Sequence, residues 1–235
     1  MKSIKSYLGD LLNKLRDVER EKSHPLIHKI HREHKISKRT LFYVKEYGKN
    51  SNVPKTIMKE SIGILLIASV LSSLGGLALD NVGDAFVVIM PLVILLPALN
   101  DLIGNFGVVV SSRFSAMLHE GRTQKKLWKD EDLRKLFLQV ILIGFITAII
   151  SGSAALIISQ ISGYEISTDI ALKVMSVVVL NIILIVSILF FISVFAGLHF
   201  YRKGKDPNNF LIPITTAFAD FGNMLVLSAL IILLF

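Results

Sequence analysis

Five long apolar runs divide the chain: Ser61 to Leu79, Ala85 to Ser111, Leu136 to Ile161, Ile170 to Leu198 and Phe210 to Phe235. A helix crossing a bilayer needs about 20 mostly apolar residues, whereas a spanning strand needs only about 10. Each run is too long for a strand, and its backbone polar groups must be satisfied within the segment, so each predicts a helix. The pattern therefore describes an all-α, polytopic membrane protein with five transmembrane helices. Residues 57–235 form the membrane domain, and residues 1–56 form a separate polar segment. In that segment Ile4, Leu8, Leu11, Leu15 and Val18 recur at alternating spacings of four and three, one apolar stripe on an otherwise charged helix. The stripe either lies on the membrane or packs against a partner chain, and two heptads are too few to specify a coiled coil. Ser23-His24-Pro25 then reads as a cap with proline in the first turn of a second helix.

Charge gives the spans a direction. Net charge is +8, and residues 1–56 carry 14 Lys or Arg. Seven more fall between Ser112 and Leu136 and three between Tyr201 and Asn209. The two remaining connections carry none, holding Asp80 and Asp84, and Glu165 and Asp169. Lys and Arg favour the cytoplasmic side, so the expected topology in the cell membrane is amino terminus inside, carboxyl terminus outside. The amino-terminal segment is then cytoplasmic. Because the basic residues flank apolar spans, they read as topology signals and anionic-lipid contacts, not as a nucleic-acid surface. There is no cysteine, so thiol catalysis, disulfides and cysteine-ligated metals are excluded. The first 22 residues are too charged for the apolar core of a cleavable signal. An enzyme is not expected: no HExxH or Gly-x-Gly-Asp motif occurs, and no histidine lies at membrane depth to act as a base.

Within the spans, the exceptions to apolarity carry the information. Ser72-Ser73-Leu74-Gly75-Gly76 and Ser151-Gly152-Ser153-Ala154-Ala155 read as seams where backbones approach closely, with a lipid-facing position as the alternative for the second. Pro91 and Pro97 each remove a backbone donor from the second span and predict kinks. Asn100, Asp101, Gly104 and Asn105 follow. Counted from Ala85 at ~1.5 Å per residue, Asp101 falls about 24 Å and Asn105 about 30 Å in, which predicts a position near the cytoplasmic mouth. Asp220 is the sole ionisable side chain between Phe210 and Phe235, about 15 Å into its span by the same measure. A charge at that depth costs at least ~2.5 kcal/mol, so it persists mainly where it meets a partner, a pore or an ion. Asn181 stands alone in the fourth span, and its reading is a hydrogen bond to a neighbouring helix.

Thr216, four residues before Asp220, and Asn223, three after, share its helical face. Oxygen donors without sulfur or imidazole suit a hard divalent cation such as Mg²⁺, Ca²⁺ or Mn²⁺. Magnesium keeps several waters and is commonly held through one or two carboxylates. One acid per chain is too few for a dehydrated site, which predicts that two chains contribute. The competing reading makes Asp220 an acid that only ties helices together. His24, His28, His31 and His34 also share one broad helical face and have the spacing to hold a metal, but in so basic a segment a solvated or headgroup-facing surface is the stronger reading.

Leu96-Pro97-Ala98-Leu99, Gly104-Asn105, Ser112-Arg113-Phe114-Ser115 and Gly121 form a first motif. Lys205-Asp206-Pro207-Asn208-Asn209, Pro213, Thr215-Thr216 and Asp220 form a second. In this order and on a five-span layout, they resemble the MgtE magnesium channels and the related solute carrier family 41, over roughly residues 57–235. The resemblance implies a homodimer whose pore runs along the two-fold axis between the second and fifth spans. It also implies a hydrated Mg²⁺ held at mid-membrane by the acid at the Asp220 position of both chains. Asn105 matches the asparagine of the Gly-Asn motif and takes a pore-lining role, whereas Asp101 departs from the pattern and inherits none. MgtE channels carry a large acidic cytoplasmic sensor with a paired CBS module; the basic 56-residue segment here puts gating through such a sensor in doubt. The solute carrier relatives fuse two five-span units, so a single unit is expected to pair with a copy of itself.

The expected function is a homodimeric divalent-cation channel or transporter with Mg²⁺ as its transported ion and metal candidates Asp220, Thr216, Asn223, Asn105 and Asp101. Preference over Mn²⁺, Co²⁺ or Ca²⁺ depends on cavity size and water retention. Two alternatives compete with it: exchange coupled to Na⁺ or H⁺ through Asp220 or Asp101, and a non-transporting membrane scaffold that recruits a partner through its basic amino-terminal helices.

Overall fold

The computed structural model describes residue 11, residues 25–36, 40, 41, 44, 53–80, 82–120, 130–203 and 205–235. Helix α1 (Pro25–His34) belongs to the amino-terminal segment. The membrane domain contains α2 (Val53–Asp80), a short α3 (Gly83–Val88), α4 (Met90–His119), α5 (Glu131–Ile161), α6 (Thr168–Arg202) and α7 (Pro207–Leu234). Among the described residues there is no strand. Five of these helices, α2 and α4 to α7, are long and apolar enough to cross a membrane, and the chain is a polytopic membrane protein.

The observed ends follow local chemistry. Asp130 accepts from the backbone N–H groups of Asp132 and Leu133 and so caps α5. Ser167 caps α6 through Ile170 N–H, and Asp206 caps α7 through Asn208 N–H with Pro207 opening the first turn. These side chains satisfy donors that a helix start otherwise leaves without a partner. Several helices extend beyond the apolar runs, to Val53 at the start of the first and to His119 at the end of the second, but the start of the second span departs in kind. The helix does not run on from Ala85: Ile89 leaves the helical region at φ −95° and ψ 72°, and α4 starts afresh with Pro91 in its first turn. There the missing proline N–H costs nothing, so Pro91 opens a helix instead of kinking one. Pro97 does lie inside α4.

Helix α6 sits at the centre, packed against α4, α5 and α7, while α4 also packs on both α5 and α7. Val174, Val178, Ile182, Ile185 and Leu189 of α6 are buried against Leu99, Ile103 and Val110 of α4 and Leu227 and Ile231 of α7. Helix α2 lies outside this group and packs chiefly along α7. Ser61 meets Asn209, Ser72 meets Asp220, and Ala78 meets Ser228, a nearly constant separation in sequence, so α2 and α7 run parallel along their whole lengths.

Both small-residue seams face protein. A Cβ on Gly75 would come within 3.2 Å of Phe221 Cα, so glycine lets α2 and α7 touch backbone to backbone, whereas Gly76 faces open space. A Cβ on Gly152 would lie 2.6 Å from Met175 Sδ, which places the α5 seam against α6. In the amino-terminal segment Leu11 is buried with Ile27, Ile30 and Leu41 in a small cluster of its own. The other members of the apolar stripe, Ile4, Leu8, Leu15 and Val18, lie outside the described residues, as does His24.

Candidate functional site

Asp220 lies midway along α7 and is partly exposed. Both of its carboxylate oxygens accept hydrogen bonds, from Ser72 Oγ of α2 at 3.0 Å and from Asn100 Nδ2 of α4 at 2.9 Å. The Asn100 carboxamide is itself held, because its Oδ1 accepts from Asn223 Nδ2 at 3.0 Å. Asn223 in turn accepts at Oδ1 from Asn181 Nδ2 of α6 at 2.6 Å. Asn181 and Asn223 are fully buried, and the Asn181 Oδ1 at the far end has no hydrogen-bond partner. One polar chain thus links four helices and ends on the acid.

This network accounts for residues whose sequence reading was thin. Asn181 makes the hydrogen bond to a neighbouring helix that was expected of it: α6 and α7 run antiparallel, and the crossing brings it to Asn223. Asn100, which no motif singled out, is the residue that joins Asn223 to Asp220. Ser72 does more than thin the α2 seam, since its hydroxyl reaches the carboxylate. The available signal was the presence of Asn100, Asn181 and Asn223 in three apolar spans, groups that are costly to bury singly and can satisfy one another.

The other predicted site residues are placed differently. Thr216 donates to Ile212 O of its own helix at 2.9 Å and is not bonded to Asp220. Asp101 and Asn105 are exposed on α4 and bond to each other, Asn105 Nδ2 donating to Asp101 Oδ2 at 3.0 Å. The expected position of Asp101 near one mouth is corrected: its neighbour Asn100 contacts Asp220, so Asp101 lies level with the mid-span acid. The error came from counting from Ala85. From the true start at Met90, Asp101 is about 16 Å along the helix. Among the described residues no three His, Asp or Glu side chains gather to hold a metal. His28 and His31 are exposed, and His31 Nδ1 lies 2.7 Å from Ile36 O.

The second motif has a structural role at the start of α7. Asp206, which caps that helix, lies 3.5 Å from His119 Nε2 at the end of α4. Asn209 Nδ2 donates to Glu60 of α2 at 2.9 Å. Pro213 has no N–H for the Asn209 carbonyl one turn back, and Ser61 Oγ donates to that carbonyl at 3.1 Å. Deeper in, the hydroxyls of Ser111, Ser193 and Thr215 meet in a fully buried contact joining α4, α6 and α7.

A family profile described as MgtE, divalent cation transporter, matches residues 96–230, which run from the first motif in α4 through Asp220 and most of α7. Solute carrier family 41 member 2 of Homo sapiens is 30% identical over 184 residues, covering 71% of this chain and 30% of the relative. The protein of that name from Macaca fascicularis matches to the same extent. The chain therefore spans about 30% of the length of these curated relatives. No solved structure matches it. With the profile covering more than half the sequence, the chain belongs to the MgtE divalent cation transporter family.

Proposed function

We propose that this protein is a homodimeric divalent-cation channel or transporter, with Mg²⁺ as its main substrate and Asp220 of both copies forming the mid-membrane site. The observation that carries the reading is the partial exposure of Asp220 at the middle of an apolar span, with Asn100 and Ser72 holding its two oxygens. An acid that only ties helices together would be enclosed by them, as Asn223 beside it is. Its side-chain neighbours, Ser72 and Asn100, can offer oxygen ligands but no sulfur or imidazole, the chemistry of a hard cation. A hydrated ion needs only a few outer acceptors, which suits one carboxylate from each of two copies. Asn105 and Asp101, exposed on α4, line the approach in this reading, and Thr216 contributes oxygen on the Asp220 helix. Family membership and the likeness to solute carriers point the same way.

The test is Mg²⁺ uptake into proteoliposomes. Asp220→Asn is expected to reduce uptake at least tenfold at equal protein, and undiminished uptake would remove the site assignment. A coupled exchanger is the second reading, favoured by the presence of two acids, Asp101 and Asp220, at one level of the bundle. It requires that uptake respond to an opposing Na⁺ or pH gradient, and indifference to both eliminates it.

A further inference from the structure

The polar chain at the site has a direction. A carboxylate only accepts hydrogen bonds, whereas a carboxamide presents an acceptor oxygen at one side and a donor nitrogen at the other. With Asp220 accepting, Asn100 must turn its nitrogen to the acid and its oxygen to Asn223, and Asn223 must do the same toward Asn181. All three amides therefore donate toward Asp220. The cost appears at the far end, where Asn181 Oδ1 is buried without a partner. Leaving such an acceptor unsatisfied costs about 1–3 kcal/mol, so its retention calls for an explanation.

We propose that Asn181, Asn223 and Asn100 form a reversible carboxamide relay that couples cation occupancy at Asp220 to helix α6, with Asn100 as a second cation-facing residue. The inference rests on Asp220 being the cation site. In the described arrangement the Asn100 N–H faces the carboxylate. A hydrated divalent cation presents only positive charge and water O–H donors, and these repel an N–H and attract an oxygen. Asn100 then turns its Oδ1 to the ion's water shell and its Nδ2 to Asn223 Oδ1. Asn223 turns Nδ2 toward Asn181, whose amide turns in step so that its Oδ1 accepts and its Nδ2 takes the position without a partner, which leaves one unsatisfied atom in either direction and so makes the two directions comparable. The same heavy-atom positions serve both directions, so the reversal needs amide rotation and no helix movement. Asn100 and Asn181 are positioning residues for Asp220, and Asn100 also meets the ion's waters.

The experiment is a Mg²⁺-induced infrared difference spectrum of the purified full chain with carbon-13-labelled asparagine carbonyls. In the wild type, the aspartate carboxylate band and an asparagine amide band are both expected to shift on Mg²⁺ addition. Asn181→Leu and Asn100→Leu should lose the asparagine shift and keep the carboxylate shift. Asn100→Leu should also raise the half-saturating Mg²⁺ concentration about tenfold, as expected on losing one hydrogen bond to a charged group. If Asn181→Leu does not assemble, Asn181→Ser breaks the same link with a hydroxyl too short to reach Asn223. A carboxylate shift without any asparagine shift, or an asparagine shift that survives in the variants, overturns the relay and leaves the site reading standing. Absence of the carboxylate shift in the wild type, or its persistence unchanged in Asp220→Asn, overturns the site reading and the relay with it.

Discussion

Asp220 shows what a single residue in a sequence can disclose. Its cost at membrane depth was apparent from one acid in a run of apolar neighbours, and its companion Asn223 followed from helical spacing. Thr216 shares that face, yet its hydroxyl is bonded within its own helix. Spacing fixes which side of a helix a residue occupies, but not which of two nearby acceptors its hydroxyl selects. Asn181 and Ser72 were invisible as partners because their contacts cross between helices far apart in sequence. Gly75 offers a test at this scale. Gly75→Val places a branched side chain against the Phe221 backbone, which cannot yield as a side-chain end can. Stability is expected to fall by about 1–3 kcal/mol, the usual cost of overpacking. Gly76→Val, facing open space, should be nearly neutral. Thermal unfolding in detergent separates the two, and equal melting shifts would contradict the contact.

At the scale of elements, the five helices were legible because length and apolarity alone separate spanning helices from strands. The start of α4 was not, since the run from Ala85 to Ser111 is apolar on both sides of the break at Ile89. Hydropathy does not register a turn made of apolar residues. Pro213 illustrates how one element repairs another. It deprives the Asn209 carbonyl of a helical donor, and Ser61 of the neighbouring helix supplies one. Ser61→Ala should therefore cost about 1 kcal/mol in the native background. In a Pro213→Ala background the restored N–H serves the carbonyl, and the same substitution should cost less. A double-mutant cycle measures the difference, and a coupling of zero would show that the two features are independent.

For the whole molecule, α2 contacts the rest of the bundle chiefly along α7 and leaves Ile62, Leu66, Ile67 and Val70 exposed. In the proposed dimer that surface suits lipid or the second copy, and the exposed Asp101 and Asn105 on α4 suit a water-filled axis. The charge distribution predicts which ends face the cytoplasm. Because the chain has no cysteine, Phe235→Cys should react with an impermeant maleimide added outside intact cells, and Lys203→Cys only after permeabilisation; the reverse pattern would invert the topology. The sequence by itself determined the number of spans and the all-α class, and it set the expected orientation and the expectation of a site at Asp220. These follow from hydropathy, charge and local spacing, which are properties of neighbouring residues. Only the tertiary structure decided that α2 and α7 run side by side, that Asp101 is level with Asp220, and that three asparagines from three helices join into one chain ending on the acid. Those facts depend on which faces of distant helices meet, and in an apolar bundle that is set by packing of small residues and by the mutual satisfaction of a few buried polar groups.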